Sequence, residues 1–142
     1  VSKTNVLEND LLKLLFNGTP IPNLADNAAS SPVTSLHLSM HTADPGEAGD
    51  QTTNEAAYAG YARIPVARST GGFTVTGNSV SPAANVDFPE ATAGTGTLTH
   101  FGIGTALSGA GKLLYKGPIT PTINLAAGVA PRLTPATAVT EE

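Results

Sequence analysis

Ser35-Leu36-His37-Leu38-Ser39-Met40-His41-Thr42-Ala43-Asp44-Pro45-Gly46-Glu47 (SLHLSMHTADPGE) holds two histidines and two carboxylates, and its period decides what they can do. Leu36, Leu38 and Met40 alternate with Ser35, His37, Ser39 and His41. That is the period of two of a half-buried β-strand, apolar on one face and polar on the other. On a helix, His37 and His41 would share a face and could grip a metal. On a strand they also share a face, but stand roughly 13 Å apart at about 3.3 Å per residue. A zinc ion holds its nitrogen ligands at about 2.0–2.1 Å. One ion cannot bridge the two rings, so no metal site is expected here. Asp44-Pro45-Gly46 then ends the strand, because proline presets one turn dihedral and glycine accepts positive φ. Asp44 is expected to bond nearby backbone amides, with Glu47 in solvent. A carboxylate pair working as acid and base would need a cleft and raised pKa values, and the sequence signals neither.

Working outward, the same short, turn-bounded pattern recurs. Residues 61–67 read as a strand in which Pro65, lacking an N–H, marks an edge or a bulge. Residues 73–76, 79–80 and 85–88 follow as short strands broken by Gly77, Pro82 and Pro89. Residues 97–105 form a longer strand with Thr99, Phe101 and Ile103 on one face. Gly102 and Gly104 leave its other face bare, open to close approach by another backbone. Residues 112–116 return as a hairpin, and residues 119–125 and 132–139 bring the total to about eight strands, followed by an exposed tail at Glu141-Glu142. Many short strands between Gly/Pro turns predict a mainly β fold, an antiparallel β-sandwich or jelly-roll-like barrel. Residues 45–60 make a loop long enough to be functional or ordered by a partner.

One helix is expected, over residues 4–16. Thr4 or Ser2 supplies the N-cap, and Glu8 and Asp10 sit near the positive end of the dipole. Leu7, Leu11, Leu14 and Leu15 follow helical spacing, Leu12 and Phe16 widen the stripe, and Asn17-Gly18 with Pro20 stops it. The chain thus divides into an N-terminal helix or docking arm, residues 1–20, a loop from residue 21 to 32, and a β-sandwich domain, residues 33–140. The leucine stripe docks either on its own domain or on a neighbour.

The 142 residues suit a single domain. There is no cysteine, which removes disulfides and thiolate metal sites and fits assembly in a reducing cytoplasm. The net charge is −4 and the seven basic residues are scattered, so no nucleic-acid surface is expected. No signal peptide and no membrane-spanning run is legible. Only 13% of residues are charged, which raises the expectation that part of the surface lies against neighbours. Tyr58, Tyr61 and Arg63, in YAGYAR, are of the types favoured at protein–protein contacts and also serve as ordinary strand residues. Arg63, Arg68 and Arg132 are candidates for ion pairs with Asp or Glu across subunits. His100 would need a serine on a nucleophile elbow to form a triad, and no Gly-x-Ser-x-Gly is present. The glycine-rich residues 94–111 lack the Gly-Lys-Ser/Thr ending and following helix of a phosphate cradle. No catalytic residue and no cofactor is therefore expected.

The segments NDLLKLLFNGTPIPNLADNA (9–28), LHLSMHTADPGEAGDQTTNEAAYAGYARIPVAR (36–68) and THFGIGTALSGAGKLLYKG (99–117) carry a resemblance over most of the chain. The chain resembles a family of small tailed-bacteriophage virion proteins that often carry the label tail fibre protein. The resemblance implies a structural, non-enzymatic particle component, assembled in the bacterial host cytoplasm and located in the virion. A fibre shaft usually shows elongated repeats, which this chain lacks. A compact β domain with an apolar helix looks like a capsid decoration (cement) protein, many of which are jelly-roll-like trimers over capsomer junctions. The expected function is capsid decoration by a homo-oligomer, a trimer, bound to the major capsid protein or other virion proteins. The alternatives are a tail or tail-fibre component and, from another class, a host-surface carbohydrate-binding module. The contact residues expected are Leu7, Leu11, Leu14 and Leu15 on the helix, with Tyr58, Tyr61 and Arg63.

Overall fold

The structure, a computed structural model, describes residues 5–21 and 33–141, with side chains on the helix from Glu8 onward. The proposed N-caps Ser2 and Thr4, the Leu7 side chain, the loop after Ile21 up to residue 32 and Glu142 lie outside the described residues. Over the described residues the fold is mainly β with antiparallel sheets and one helix, consistent with a β-sandwich. Its elements are α1 (Asn5–Asn17), β1 (Ser35–His41), β2 (Ile64–Ala67), β3 (Phe73–Thr76), β4 (Ser79–Pro82), β5 (Val86–Asp87), β6 (Gly96–Gly104), β7 (Leu113–Leu125), β8 (Arg132–Leu133) and β9 (Val139–Thr140). They fall into two compact units. The first holds residues up to 36, 66–85 and 134 onward; the second holds residues 37–65 and 86–133. β1 and β2 each run from one unit into the other.

In the first unit, α1 packs on the β3–β4 hairpin, and β9 pairs with β4. The buried stripe of the helix is Glu8, Leu12 and Phe16, while Leu11, Leu14 and Leu15 are half-buried. Phe16 meets Phe73 edge-on, with centroids 4.7 Å apart. Leu12 and Phe16 are thus the centre of the buried stripe, where the leucine count places them at its margin. Gly18 takes positive φ (64°) where the helix stops. The carbonyl of Leu14 accepts hydrogen bonds from Arg68 Nη2 (2.8 Å) and Nε (3.3 Å), a cation at the negative end of the dipole. Arg68 therefore serves the helix end of its own chain. The tail is tied down through Glu141, whose N–H donates to the Asn78 carbonyl at 2.8 Å.

In the second unit, β6 lies between β1 and β7, in the sheet order β2-β1-β6-β7, and β5 pairs with β8. Leu38 faces Ile103 and Met40 faces Phe101 across the β1–β6 ladder. These four, with Leu98, Val86, Phe88, Ala91, Leu125 and Leu133, are buried. Three sequence expectations need correction. β1 is not half-buried: Ser39 and His41, on its polar face, are as fully enclosed as Leu38 and Met40. Residues 112–116 and 119–125 are not two strands but one, β7, running through Gly117-Pro118 with register shifts against β6. The position at the sheet edge explains this, because a proline there need not donate to a ladder. Residues 132–139 are not one strand but two, split where the Thr137 N–H returns to the Thr134 carbonyl (2.9 Å) around Pro135.

Candidate functional site

The polar face of β1 is covered by the loop of residues 45–60, which folds back on it. The Ala56 N–H donates to the Met40 carbonyl and the Thr42 N–H to the Asn54 carbonyl, both at 2.8 Å, and Glu55 bridges to His41. Space for this loop comes from absent side chains. A Cβ on Gly104 would lie 2.1 Å from Gln51 Cδ, one on Gly111 2.2 Å from Gln51 Oε1, and one on Gly102 2.7 Å from both His41 Nε2 and Ser39 Oγ. The bare face of β6 is thus filled by side chains of the loop and of β1, rather than by a closely approaching backbone.

A hydrogen-bonded network lies between loop and strand. Gln51, fully buried, donates from Nε2 to the Ala106 carbonyl (3.2 Å) and accepts the Ala106 N–H at Oε1 (2.9 Å). Its own N–H donates to the Ala110 carbonyl at 2.9 Å. Arg63 clamps Glu55 with two parallel bonds, Nε to Oε1 at 2.6 Å and Nη2 to Oε2 at 2.7 Å, and Nη1 donates to the Ala106 carbonyl at 2.9 Å. The Glu55 carboxylate holds the Arg63 guanidinium above its ordinary pKa. Tyr61 donates its hydroxyl to Glu55 Oε1 (2.8 Å) and accepts the Met40 N–H (3.2 Å). Burial, aided by the Glu55 carboxylate, pushes its phenol pKa up.

Ser39 and His41 come closest to a catalytic pair. His41 Nδ1 donates to the Thr53 carbonyl at 2.9 Å, which leaves Nε2 to accept from Ser39 Oγ at 2.8 Å. That is the spacing of a nucleophile and its base. A backbone carbonyl stands where a triad has a carboxylate, and both side chains are 0% exposed. No substrate atom can reach Ser39 Oγ in this arrangement. Burial lowers the His41 pKa and holds the ring neutral, so the pair acts as two satisfied hydrogen-bonding groups joining β1 to the loop.

The other polar candidates are dispersed. His37 has its pKa lowered by burial, and its Nδ1 is buried without a hydrogen-bond partner. His100 stands opposite His41 in the β1–β6 register, with Nδ1 2.9 Å from Thr99 Oγ1. Asp44 Oδ1 accepts the Gly46 N–H at 2.8 Å, as the turn reading expects. That bond, then Lys116, holds the Asp44 carboxyl below its ordinary pKa. Glu47, in solvent, also meets Lys116, whose Nζ lies 3.0 Å from each carboxylate. Among the described residues no three His, Cys, Asp or Glu side chains converge on a point that could hold a metal ion. Among them, too, no helix is long and apolar enough to cross a membrane.

Of the residues expected at contacts, Tyr58 and Arg63 are buried within the chain and Tyr61 is half-buried. Tyr58 donates its hydroxyl to the Pro89 carbonyl at 2.8 Å and packs edge-on against Tyr61. Tyr58 and Arg63 of YAGYAR are thus engaged within the chain, while Ala59, Gly60 and Ala62 are exposed. Arg132 pairs with Asp87 in the same chain. Sequence reading missed Gln51, Thr53, Glu55 and Ala106. The one signal for them was the run of glycines facing one side of β6.

Residues 2–139 match the family described as Podophage GP4 fiber I protein gp80. No curated protein matches the chain.

Proposed function

The chain belongs to the Podophage GP4 fiber I protein gp80 family, and on that premise we propose that it is a structural component of a podophage tail fibre. Membership of a phage fibre-type family supports a structural virion component and favours a non-enzymatic role. The observation that carries the finer reading is the family match, which spans nearly the whole chain and names a fibre. Capsid decoration, the reading expected first from the compact sequence, finds no counterpart in that description and gives way to the tail-fibre alternative. The interior supports a passive role. The Ser39–His41 pair is sealed, and the long loop is held by a bidentate ion pair and a buried amide rather than left open for a ligand. A carbohydrate-binding role fits less well, because Tyr58 is buried and the Tyr61 hydroxyl is taken up by Glu55 and Met40.

Gold-labelled antibody against the purified chain, applied to intact particles and viewed by electron microscopy, tests this reading. Label is expected on the tail-proximal fibres. Label distributed over the head would restore capsid decoration, and hydrolysis of any substrate by the purified chain would overturn the structural role.

A further inference from the structure

All three histidines of the chain stand on one face of the β1–β6 ladder. His41 is opposite His100, Ser39 opposite Gly102 and His37 opposite Gly104, and residues directly opposite one another share a face. Lys116 of β7, also opposite Gly102, joins them. Residues 46–55 lie over this face. His41 Nδ1 donates to the Thr53 carbonyl, the Thr42 N–H to the Asn54 carbonyl and the Ala56 N–H to the Met40 carbonyl. The Gln51 side chain fills the space left by Gly104 and Gly111. From Gly46 to Glu55 the only apolar side chain is Ala48. This flap is therefore held by hydrogen bonds and one ion pair, whereas the strands beneath it are held from their other face by Leu38, Met40, Phe101 and Ile103. Segments held so differently can open separately.

We propose that residues 46–55 form an acid-released flap: a neutral His41 holds them shut, and its protonation lifts them from β1 while β1 and β6 stay paired. A proton on His41 has no counter-charge to meet. The carboxylates around it are already engaged, Glu55 by Arg63 and Tyr61, Asp44 and Glu47 by Lys116, and Asp50 by Thr52 and Thr53. Arg63 and His100 repel it, and His37, four residues along β1, is roughly 13 Å away. The proton also removes the acceptor at Nε2 that receives the Ser39 hydroxyl. β1 lies between β2 and β6 and cannot swing out, so water reaches the ring only when the flap moves. Burial, with Arg63 and His100 adding to it, lowers the pKa of the enclosed ring against the pull of Thr53 and Glu55. Once uncovered, the ring returns towards about 6.5. Closure is therefore complete above about pH 6.5. Below that, the opening equilibrium rises by up to about tenfold per pH unit until the enclosed ring also protonates. The released form is not an active site, because the ring that would serve Ser39 as base then carries the proton. It uncovers the glycine side of β6 and frees Ala106 and Ala110, which Gln51 pins on either side of the β6–β7 turn. The inference stands apart from the fibre assignment, because it holds wherever on the virion the chain sits.

Amide hydrogen exchange of the purified full chain, resolved by NMR between pH 7.5 and 5 and corrected for the intrinsic effect of pH, tests it. The Thr42, Gln51, Ala56 and Ala106 amides, each bonded across the flap's seam, are expected to lose protection about tenfold or more at pH 5. Residues 98–104 of β6 are expected to keep theirs. In the wild-type chain the loss should follow the titration of the His41 ring, read from its own carbon shifts, so the outcome does not depend on any variant folding. His41→Gln, which keeps a neutral hydrogen-bonding group at the site, is expected to stay shut at pH 5, and His37→Gln to open like the wild type. Unchanged flap protection at pH 5, simultaneous loss along β6, or a loss that follows carboxylate titration rather than the His41 ring would each overturn the proposal. So would a folded His41→Gln chain that opens as readily as the wild type.

Discussion

The two faces of β1 between Leu38 and His41 are closed to the same degree by opposite chemistries. On one face, Leu38 and Met40 lie against Ile103 and Phe101. On the other, Ser39 and His41 lie over glycines and under a loop held by Gln51, Glu55 and Arg63. The apolar face gains from every apolar area removed from water and is indifferent to direction. The polar face gains little from each bond, but loses heavily when one partner is left alone. The first therefore tolerates a swap that conserves apolar volume, and the second does not tolerate even a swap that conserves charge.

The sharpest way to expose that contrast is Glu55→Ala, which leaves the Arg63 guanidinium buried without its carboxylate. Loss of about 3–5 kcal/mol of unfolding free energy is expected, read by denaturant titration. On the apolar face, Met40→Ala should cost about 2–5 kcal/mol, while Met40→Leu should cost less than about 1.5 kcal/mol. Arg63→Lys, equally conservative in name, cannot make the two parallel bonds and should behave more like a deletion. A cheap Arg63→Lys would erase the distinction between the faces.

Gly104→Ala comes next. The new methyl would overlap the Gln51 amide, which has nowhere to go without releasing Ala106, and a cost of about 1–3 kcal/mol is expected. Combined with Gln51→Ala, the methyl has room, so the double variant should lose less than the sum of the singles. Strict additivity would show that the two residues do not meet.

Acid should act on the polar face alone. The folded His41 pKa lies below the ordinary 6.5, chiefly through burial, against the opposing pull of the Thr53 carbonyl and the Glu55 carboxylate. Above about pH 6.5 the ring is neutral in both folded and unfolded chains, and its contribution is complete. Below that, the unfolded chain takes up the proton first. Stability then falls, by at most about 1.4 kcal/mol per pH unit for this one ring, until the folded ring also protonates. His37, whose pKa is also lowered, adds in the same direction. Denaturant midpoints measured from pH 7.5 to 5 should decline less steeply in His41→Gln than in the wild type. The smallest effect is expected at the exposed Arg132–Asp87 pair, where Asp87→Ala should leave the thermal midpoint essentially unmoved, because water screens such contacts.

These residues also mark how far the sequence could be read. The alternation in β1, the Asp44-Pro45-Gly46 turn, the leucine-rich helix and the glycine side of β6 were legible because each is a local pattern. The enclosure of Ser39 and His41 was not, since an alternating strand looks the same whether water or a polar loop covers its polar face. Gln51 and Ala106 are 55 residues apart in the chain, and nothing near either one announces the other. The continuity of β7 through Gly117-Pro118 was hidden for a related reason. Proline reads as a break until the strand is known to lie at an edge.

By itself, the sequence determined the β class, the helix and its stop, the strand that carries the histidines and the impossibility of one ion joining them, since each follows from neighbouring residues and backbone geometry. Tertiary structure alone decided that the long loop closes over that strand, that Tyr61 and Arg63 are drawn into the network behind it with Tyr58 packed on Tyr61, and that β7 lies at the edge of its sheet. Those outcomes depend on which distant segments pack together, and the free energy of that packing is spread over pairs that no local pattern records.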